Sequence, residues 1–347
     1  MKRLAPIAAA LLIAVSVLAG SLLHAIWAQP LMLSDDQTVV SISRGESLRA
    51  VLANAERNGW IHNARWLGWL ASSLELDQQI KAGEYQLNRA ITAAEMIKLM
   101  ADGKVIQHKI TLPEGITFNE ALRLIQSHPK TTNTPADELA LALRDMTGRE
   151  EAFEGLFLPE TWAFSAGDSD LNILRRAYEA MDALLTTLWE SHGAESALPS
   201  AYAALTLASI VEKETGVASE RAFIAGVFLK RLREGMLLQT DPTVIYGLGK
   251  EYDGDLKRHH LLDKTNPYNT YVVSGLPPTP IALPGAAALR AVFEPAITDD
   301  LYFVAKGDGS HAFSKTLHEH QANVRHFQLE RRADYRSSPA APVMDSN

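Results

Sequence analysis

The residues best suited to acid–base chemistry lie in one short stretch, "ASIVEKETGVASER", at positions 208–221. Its apolar run predicts a buried helix that ends with Glu212 and Glu214. At about 3.6 residues per turn, residues two apart point to different sides, so these carboxylates do not serve one site together. Glu212 shares a face with small residues such as Ala208, which leaves room for a ligand, whereas Glu214 lies beside larger ones such as Ile210.

The surroundings of Glu212 favour it as the reactive group of the pair. A carboxyl group held against an apolar helix wall ionises less readily, and a general acid at neutral pH needs that property. Glu214 is expected to make a structural ion pair or to cap a neighbouring turn. Most glutamates at helix ends are solvated, so the helix pattern alone leaves a purely structural role open for Glu212 as well.

Polar residues after this helix are candidates for substrate binding or for holding Glu212 in position. Glu220 and Arg221 follow at once, and we expect them either to pair with each other or to support Glu212. Gln239 and Asp241, in "QTDP", come just after a predicted helix end, where loop polar groups often carry function. A turn cap is the structural alternative for Asp241, because a proline follows it.

Aromatic and amide side chains elsewhere are candidates for contacts with a ligand. Tyr268 and Asn269, in "PYNTY", are suited to stacking on a sugar ring and to hydrogen bonding with it. Packing of a proline- and tyrosine-rich loop is the structural alternative. For Trp60, Trp66 and Trp69 the helical spacing favours a place in the core, with contact to a glycan as the alternative.

The composition argues against several other kinds of site. The 347-residue chain has no cysteine, which excludes disulfides, thiolate zinc sites and a cysteine nucleophile. Histidines in "HH" (259–260) and "HEH" (318–320) lack the i, i+4 spacing of a helical zinc motif, so we expect no metal and no other cofactor. The formal net charge of -8 offers no basic excess for phosphates, so nucleic acid is not an expected partner.

The N-terminus predicts a membrane anchor. Lys2 and Arg3 precede an uncharged and largely apolar run at 4–33, and about 20 apolar residues suffice to span a bilayer as a helix. Because "AIWA" (25–28) is a poor cleavage site, we expect an uncleaved signal anchor over residues 1–33, with a cleaved secretory signal as the alternative. The positive-inside rule puts the N-terminus in the cytoplasm and the rest in the periplasm, at the cell inner membrane.

Short strands and capped helices are predicted after the anchor. Ser47 marks one helix start, and capping boxes at Thr92–Glu95 and Thr117–Glu120 mark two others. Periodicity predicts strands at 40–42, 85–87, 109–112, 271–273 and 301–305, and helices at 48–57, 93–102, 118–125, 170–191 and over most of 201–235. This mixture predicts an α+β fold.

The predicted elements form two domains beyond the anchor, as expected for a chain too long for one compact core. Residues 38–108 form a small α+β module that resembles a LysM-like glycan-binding module of the βααβ type. Residues 109–336 form a mixed α+β catalytic domain. Within it "KTTNTPAD" (130–137) predicts a linker or exposed loop, and residues 337–347 predict a disordered tail.

Several longer segments, collinear along the chain, resemble one known family. They are "LPEGITF" (112–118), "EGLFLPETWAF" (154–164), the run from "ASIVEKETGVASER" to "QTDPTVIYGLG" (208–249), "YNTYVVSGLPPTPIALPG" (268–285) and "LYFVAKGDGSHAFSKTLHEH" (301–320). These motifs are similar to those of the YceG-like family of MltG-type endolytic murein transglycosylases. Glu160, in "FLPETW", is a conservative departure.

The resemblance implies an activity and the residue that performs it. Glu212 matches the family's catalytic glutamate, expected to protonate the glycosidic oxygen between N-acetylmuramic acid (MurNAc) and N-acetylglucosamine (GlcNAc). It then takes the proton of the muramic C6 hydroxyl as that oxygen closes on C1, which leaves a 1,6-anhydro end. The enzyme is expected to cut nascent peptidoglycan strands internally, as a terminator of their elongation, with cell-wall synthases as further partners.

Two other functions stay open. A hydrolytic muramidase would use Glu212 together with Asp241, because ordinary glycosidases need two carboxylates. A membrane-anchored scaffold that binds peptidoglycan without cutting it would need neither group.

Overall fold

The computed structural model describes residues 4–33, 39–193 and 196–330. The predicted basic flank at 2–3, the polar link at 35–37 and the tail at 337–347 lie outside these residues. The chain divides into two compact units. Unit 1 comprises Met1–Lys109, Pro129–Thr132 and Ala163–Asp168, and unit 2 comprises Ile110–His128, Asn133–Trp162 and Ser169–Asn347. Unit 1 therefore takes in two short segments of the predicted catalytic domain.

The described residues form a mixed α+β fold, as predicted. The helices are α1 Leu4–Trp27, α2 Leu48–Arg57, α3 Ala64–Ser73, α4 Ala93–Asp102, α5 Phe118–Ser127, α6 Ala136–Thr147, α7 Asp170–His192, α8 Ala201–Glu214, α9 Arg221–Arg233, α10 Asp241–Leu248, α11 Arg258–Leu262, α12 Ala286–Phe293 and α13 Leu317–Val324. The strands are β1 Val39–Ile42, β2 Gly83–Gln86, β3 Gln107–Thr111, β4 Thr161–Ser165, β5 Tyr302–Ala305 and β6 His311–Ser314. They pair as β1–β2, β3–β4 and β5–β6.

Unit 1 places the elements β1, α2, α3 and β2 in the order βααβ. Strands β1 and β2 pair antiparallel, with Val40 opposite Tyr85. Helix α2 starts where the Ser47 side chain accepts a hydrogen bond from the Ala50 amide. Helices α2 and α3 pack on each other, and their apolar faces close over the two strands. Tyr85 is fully buried in this core.

Helix α1 is long and apolar enough to cross a membrane, over Ala9–Trp27. Its side chains are largely exposed, unlike those of a core helix in a soluble protein. At its C-terminal end Ile26 and Trp27 pack against the core of unit 1. The predicted apolar span therefore forms one helix, consistent with a single-pass anchor.

Unit 2 is built around α8, which packs against α7, α9, α10 and α12. Ser200 caps its start by accepting a hydrogen bond from the Ala203 amide. The helix is buried on every side from position 204 to 211, because small and branched apolar residues let its neighbours approach closely. Strands β5 and β6 form an antiparallel hairpin, with Phe303 opposite Phe313. A central buried helix of this kind holds its last turn in a fixed position.

Most of the predicted elements are confirmed, and the errors have local causes. The strand predicted at 271–273 is wrong: its amides bond within a turn, with Tyr271 N donating to the Asn269 side chain and Val273 N to the Asn269 carbonyl. The helical stretch predicted over 201–235 is broken after Glu214, where Thr215 is extended. The loop predicted at 130–137 gives way to α6 at Ala136.

The prediction that the tryptophans of unit 1 lie in the core holds only for Trp60. That residue is partly buried and packs against the core. Trp66 and Trp69, on α3, are 52% and 56% exposed, so the core prediction is wrong for both. The helical spacing correctly placed both residues on one face of α3, but that face points to solvent and not into the core.

Candidate active site

Glu212 lies in the last turn of α8 with both carboxylate oxygens hydrogen-bonded. Its Oε1 accepts from Arg221 Nη2 at 3.2 Å, and its Oε2 accepts from the Gly285 amide at 3.0 Å. The side chain is only 5% exposed. Two donors, one of them charged, fix the orientation of the carboxyl group. Glu212 is therefore a buried carboxylate with a defined position and a small opening to solvent.

The face of small residues on α8 is occupied by backbone. Ser209 lies one turn before Glu212, and its hydroxyl accepts from the Ile281 amide at 2.9 Å. Ser209 and Glu212 thus bind the two ends of one segment, 281–285, by its amides. The small side chains make this close approach feasible. The expectation that they leave free space for a ligand is wrong at Ser209, which is itself fully buried.

Glu114 is a second carboxylate at the same site, and it was not among the residues predicted from the sequence. Its Oε2 lies 3.5 Å from Arg221 Nη2, the nitrogen that also binds Glu212. Burial raises the pKa of Glu114, the charge of Glu212 raises it further, and the Arg221 guanidinium opposes both effects. The Glu114 side chain is 45% exposed, so it is the more accessible of the two carboxyl groups.

Glu114 is positioned by the glycine turn that precedes α5. Gly115 adopts a left-handed conformation (φ 76°), and its amide donates to the Leu283 carbonyl at 2.9 Å. Lys213 Nζ, on α8, donates to the Gly115 carbonyl at 3.1 Å. The turn is therefore held by α8 on one side and by the 281–285 segment on the other.

Gly285 allows Glu114 to approach the 281–285 segment. A Cβ atom at position 285 would lie 1.8 Å from Glu114 Oε1, so any larger residue there displaces that side chain. Glu114 belongs to the motif "LPEGITF", which indicated the family but gave no role to this residue. Nothing in the sequence near position 285 indicated that this segment meets Glu212.

Glu220 and Arg221, predicted to pair with each other or to support Glu212, have different partners. Arg221 binds Glu212, as described above. Glu220 instead accepts from the His311 amide at 2.9 Å and from His311 Nδ1 at 2.8 Å, and the Thr215 hydroxyl lies 3.3 Å away. Glu220 therefore ties the start of α9 to β6, and the expected Glu220–Arg221 pair is absent from the described contacts.

Glu214, Gln239 and Asp241 line a separate cavity of about 470 Å³ in unit 2. Burial raises the pKa of Glu214 to about 7, opposed by the hydrogen bond from the Thr240 hydroxyl. The described partner of Glu214 is thus the Thr240 hydroxyl, whereas an ion pair or the cap of a neighbouring turn was expected. Asp241 is the first residue of α10 and accepts from the Tyr271 hydroxyl at 2.6 Å. Burial raises the pKa of Tyr271, and this hydrogen bond raises it further. No described contact joins these residues to Glu212.

Gln239 has a strained backbone at the edge of this cavity. Its φ of 50° lies in the left-handed region, which is uncommon for a residue other than glycine. Its amide donates to the Thr270 carbonyl at 3.1 Å, and that bond holds the conformation. The predicted polar residues therefore separate into one group around Glu212 and a second group around this cavity.

Asn269 and Tyr268 have structural contacts that limit their predicted role in binding a sugar. Asn269 is fully buried, and its side-chain nitrogen lies within hydrogen-bond distance of three carbonyl oxygens, those of His260, Leu261 and Asp263. A direct contact between the Asn269 amide nitrogen and a sugar would break these bonds, and the role in sugar binding stays a prediction. The Tyr268 hydroxyl lies 2.9 Å from that of Thr279, and its ring packs edge-on against Tyr246.

Tyr246 belongs to a further buried network, with Glu154. Glu154 Oε2 accepts from the Tyr246 hydroxyl at 3.1 Å, and Oε1 accepts from the Phe118 amide at 2.8 Å. Burial raises the pKa of Glu154 to about 7, and these hydrogen bonds oppose the rise. Because Phe118 opens α5, Glu154 fixes the helix that follows the Glu114 turn.

Comparisons with known proteins agree with the motifs. A family model described as the YceG-like family matches residues 40–326. A Bacillus subtilis protein named endolytic murein transglycosylase is 29% identical over 306 residues, which cover 82% of this chain and 84% of that protein. A Streptococcus pneumoniae protein of the same name is 24% identical over 84% of this chain and 58% of its own length. A solved YceG-like protein of Listeria monocytogenes is 30% identical, with a TM-score of 0.53, and the match covers 82% of this chain and 98% of that one.

Proposed function

The chain belongs to the YceG-like family, and on that premise we propose that it is an endolytic peptidoglycan lytic transglycosylase. The relatives named endolytic murein transglycosylases support this activity. The observation that carries the proposal is Glu212, a carboxylate inside the matched region that is bound by a guanidinium and a backbone amide. Its position at the end of a buried helix suits a group that must give and take a proton in one place.

In the proposed reaction Glu212 acts first as acid and then as base. It donates a proton to the MurNAc–GlcNAc glycosidic oxygen as the bond from that oxygen to muramic C1 breaks. The C6 hydroxyl oxygen of the same sugar then bonds to C1, and its proton passes back to Glu212. No water is consumed, and the products are a 1,6-anhydroMurNAc end and a free GlcNAc hydroxyl. Arg221 and the Gly285 amide stabilise Glu212 while it is ionised between the two proton transfers.

Glu114 extends this mechanism with a second carboxyl group. It shares the Arg221 guanidinium with Glu212, and burial raises its pKa, so it holds a proton more readily than an ordinary glutamate. One guanidinium does not neutralise two carboxylates, so we propose that the pair carries one proton when substrate binds. In this proposal Glu114, the more exposed member of the pair, passes that proton to Glu212.

A hydrolytic muramidase is the alternative chemistry for the same site. Hydrolysis needs a second carboxylate to activate water or to act as nucleophile. Asp241 was the predicted second group, but it accepts from the Tyr271 hydroxyl and lines a cavity with Glu214, and the lining of that cavity does not include Glu212. The carboxyl group that adjoins Glu212 is Glu114, so a hydrolase would use that residue. The scaffold alternative requires that neither group reacts.

The proposal also covers the anchor and the small module. We propose that α1 spans the cell inner membrane once, with the N-terminus in the cytoplasm and the YceG-like catalytic domain (109–336) in the periplasm. The βααβ order of unit 1 supports a LysM-like, glycan-binding module over 38–108. A tether of this kind confines the enzyme to nascent strands near the bilayer, where it terminates elongation beside cell-wall synthases.

The test is digestion of purified peptidoglycan by the full-length protein in detergent, followed by mass spectrometry of the muropeptides. Wild type, Glu212→Gln and Glu214→Gln are compared, because the two variants make the same change two residues apart on one helix. We expect anhydro ends, one water lighter than hydrolysis products, from wild type and Glu214→Gln but not from Glu212→Gln. Circular dichroism checks that each variant is folded.

Other outcomes of this digestion contradict parts of the proposal. Reducing ends in place of anhydro ends would identify a hydrolase. A folded wild-type protein that leaves the glycan intact would favour the scaffold. Cleavage that survives in Glu212→Gln but not in Glu214→Gln would show that the wrong glutamate was chosen.

A further inference from the structure

Four of the six tryptophans of the chain lie at positions 27–69, in unit 1. Two of them, Trp66 and Trp69, are more than half exposed on one face of α3, with ring centroids 6.2 Å apart in an edge-to-face contact. A spacing of three residues puts them on neighbouring turns of that face. Leu70, also on this face, is half-buried. Exposed apolar clusters of this kind mark surfaces that another body covers.

Helix α3 lies next to the end of the apolar helix α1. The two helices pack on each other. Gln29, two residues after the end of α1, forms two hydrogen bonds with the backbone of His62, in the segment that leads into α3. Its Nε2 donates to the His62 carbonyl at 2.8 Å, and its Oε1 accepts from the His62 amide at 3.0 Å. The exit from α1 and the entry to α3 are thus held together by a pair of reciprocal hydrogen bonds.

The chain between α1 and the module is bonded to the module throughout its described part. The Leu31 amide donates to the Ile91 carbonyl, and the Met32 amide donates to the Trp60 carbonyl, each at 2.9 Å. The Leu31 side chain is buried in the core of unit 1. A segment held in this way does not act as a flexible linker. If α1 crosses a bilayer, α3 therefore lies at the surface of that bilayer.

We propose that Trp66 and Trp69 insert into the interfacial layer of the membrane that α1 spans. The indole ring combines a large apolar body with one N–H donor, and tryptophan is enriched at the headgroup level of bilayers for that reason. Arg65, exposed on the same helix, offers a guanidinium to lipid phosphates. Because α3 packs on α1, the lipid around α1 is the partner that we propose for this face. The inference rests on the proposal that α1 is a membrane anchor, and it assigns unit 1 a fixed orientation on the bilayer.

The test uses the full-length protein in vesicles whose acyl chains carry bromine near the headgroup, compared with unbrominated vesicles. Bromine quenches tryptophan fluorescence only at short range. The fluorescence of wild type minus that of the double variant Trp66→Phe/Trp69→Phe gives the emission of these two residues. We expect brominated lipid to reduce that difference by roughly twofold or more, as for tryptophan at the bilayer interface. Both positions are exposed, so phenylalanine leaves the core of unit 1 intact.

Two single variants serve as controls. Trp27→Phe, at the end of α1, isolates a residue of the span, and its difference emission should also be quenched. Trp189→Phe isolates a residue of unit 2 that packs edge-on against Phe293, and its difference emission should not respond to bromine.

The controls separate failure of this inference from failure of the anchor. If Trp27 is quenched while Trp66 and Trp69 are not, α1 is inserted and the docking inference is wrong. If Trp27 is not quenched, the anchor proposal fails and the docking inference fails with it. If a soluble GlcNAc oligomer alters the emission of Trp66 and Trp69 while brominated lipid does not, the surface binds glycan and the inference is overturned. None of these outcomes depends on whether the protein cleaves peptidoglycan.

Discussion

Replacement of Glu154 by glutamine tests whether this buried carboxyl group lowers the stability of the folded protein when it ionises. Glu154 is 5% exposed and accepts hydrogen bonds from the Phe118 amide and the Tyr246 hydroxyl. Burial raises its pKa from 4.5 to about 7 despite these bonds. At pH 6 the folded protein therefore keeps Glu154 protonated, whereas the unfolded chain has it ionised.

The sign and size of the effect on stability follow from these two pKa values. Below about pH 4.5 Glu154 is protonated in both states and contributes no pH dependence. As the pH rises towards 7, the unfolded chain releases the proton first, so the free energy of unfolding falls. The full loss, at about 1.4 kcal/mol for each pKa unit, is about 3 kcal/mol above pH 7.

Glu154→Gln should remove this loss, because glutamine stays neutral and its oxygen still accepts from the Phe118 amide. We expect the variant and the wild type to unfold at similar urea concentrations at pH 4.5. At pH 8 the variant should be more stable by up to about 3 kcal/mol. Urea unfolding followed by circular dichroism at both pH values measures the difference. Glu179→Gln, at an exposed position on α7, is the matched control and should change little. Equal stability of wild type and Glu154→Gln at pH 8 would refute the reasoning.

Three further predictions concern the site and its support. Arg221→Met should lower the free energy of unfolding, measured with urea at neutral pH, by about 3–5 kcal/mol, because Glu212 is left buried without its cationic partner. The double variant Arg221→Met/Glu212→Gln should recover most of this loss. Gly285→Ala, at an ordinary φ of -72°, should push Glu114 aside and reduce turnover by roughly tenfold or more while the melting temperature changes little. Asn269→Asp should destabilise the protein by about 3 kcal/mol or more in thermal unfolding, because the carboxylate oxygen that replaces the amide nitrogen would face three carbonyl oxygens.

The helix starts were predictable because their signals are local. Ser47, Thr92 and Thr117 each accept a hydrogen bond from an amide three residues later, and the two threonine caps carry the reciprocal glutamate bond as well. Such signals need no knowledge of the rest of the fold. A local signal also gave the structural alternative for Asp241, a turn cap, because a proline occupies the next position. Proline suits the first turn of a helix equally well, and α10 begins there.

The strand predicted at 271–273 failed because of a competing local interaction. Tyr271, Val272 and Val273 favour strands by residue type. Asn269 precedes them, and its side-chain and backbone oxygens accept the amides of all three. These bonds close a turn before a partner strand can pair with the segment. Asparagine is well known for such side-chain-to-backbone bonds, so the sequence held the signal, but residue propensity concealed it.

The partners of Glu212 were less predictable, because they come from distant parts of the chain. Arg221 lies nine residues away and was among the candidates, but Gly285 and Glu114 lie 73 and 98 residues away. No periodicity or capping rule connects positions so far apart. The collinear motifs contained both residues, yet a motif indicates membership of a family without showing which of its segments meet.

These distant contacts change the physical argument for Glu212. The helix pattern favoured it because its neighbours are small, and small neighbours suggested space for a ligand. In the structure Ser209 and Glu212 instead receive the amides of Ile281 and Gly285, so small side chains let backbone approach a carboxylate. Backbone amides are fixed donors that need not reorganise when charge develops, which is the property that lowers a barrier to proton transfer. Glu114 is the more exposed of the two carboxyl groups, and both depend on one guanidinium, that of Arg221.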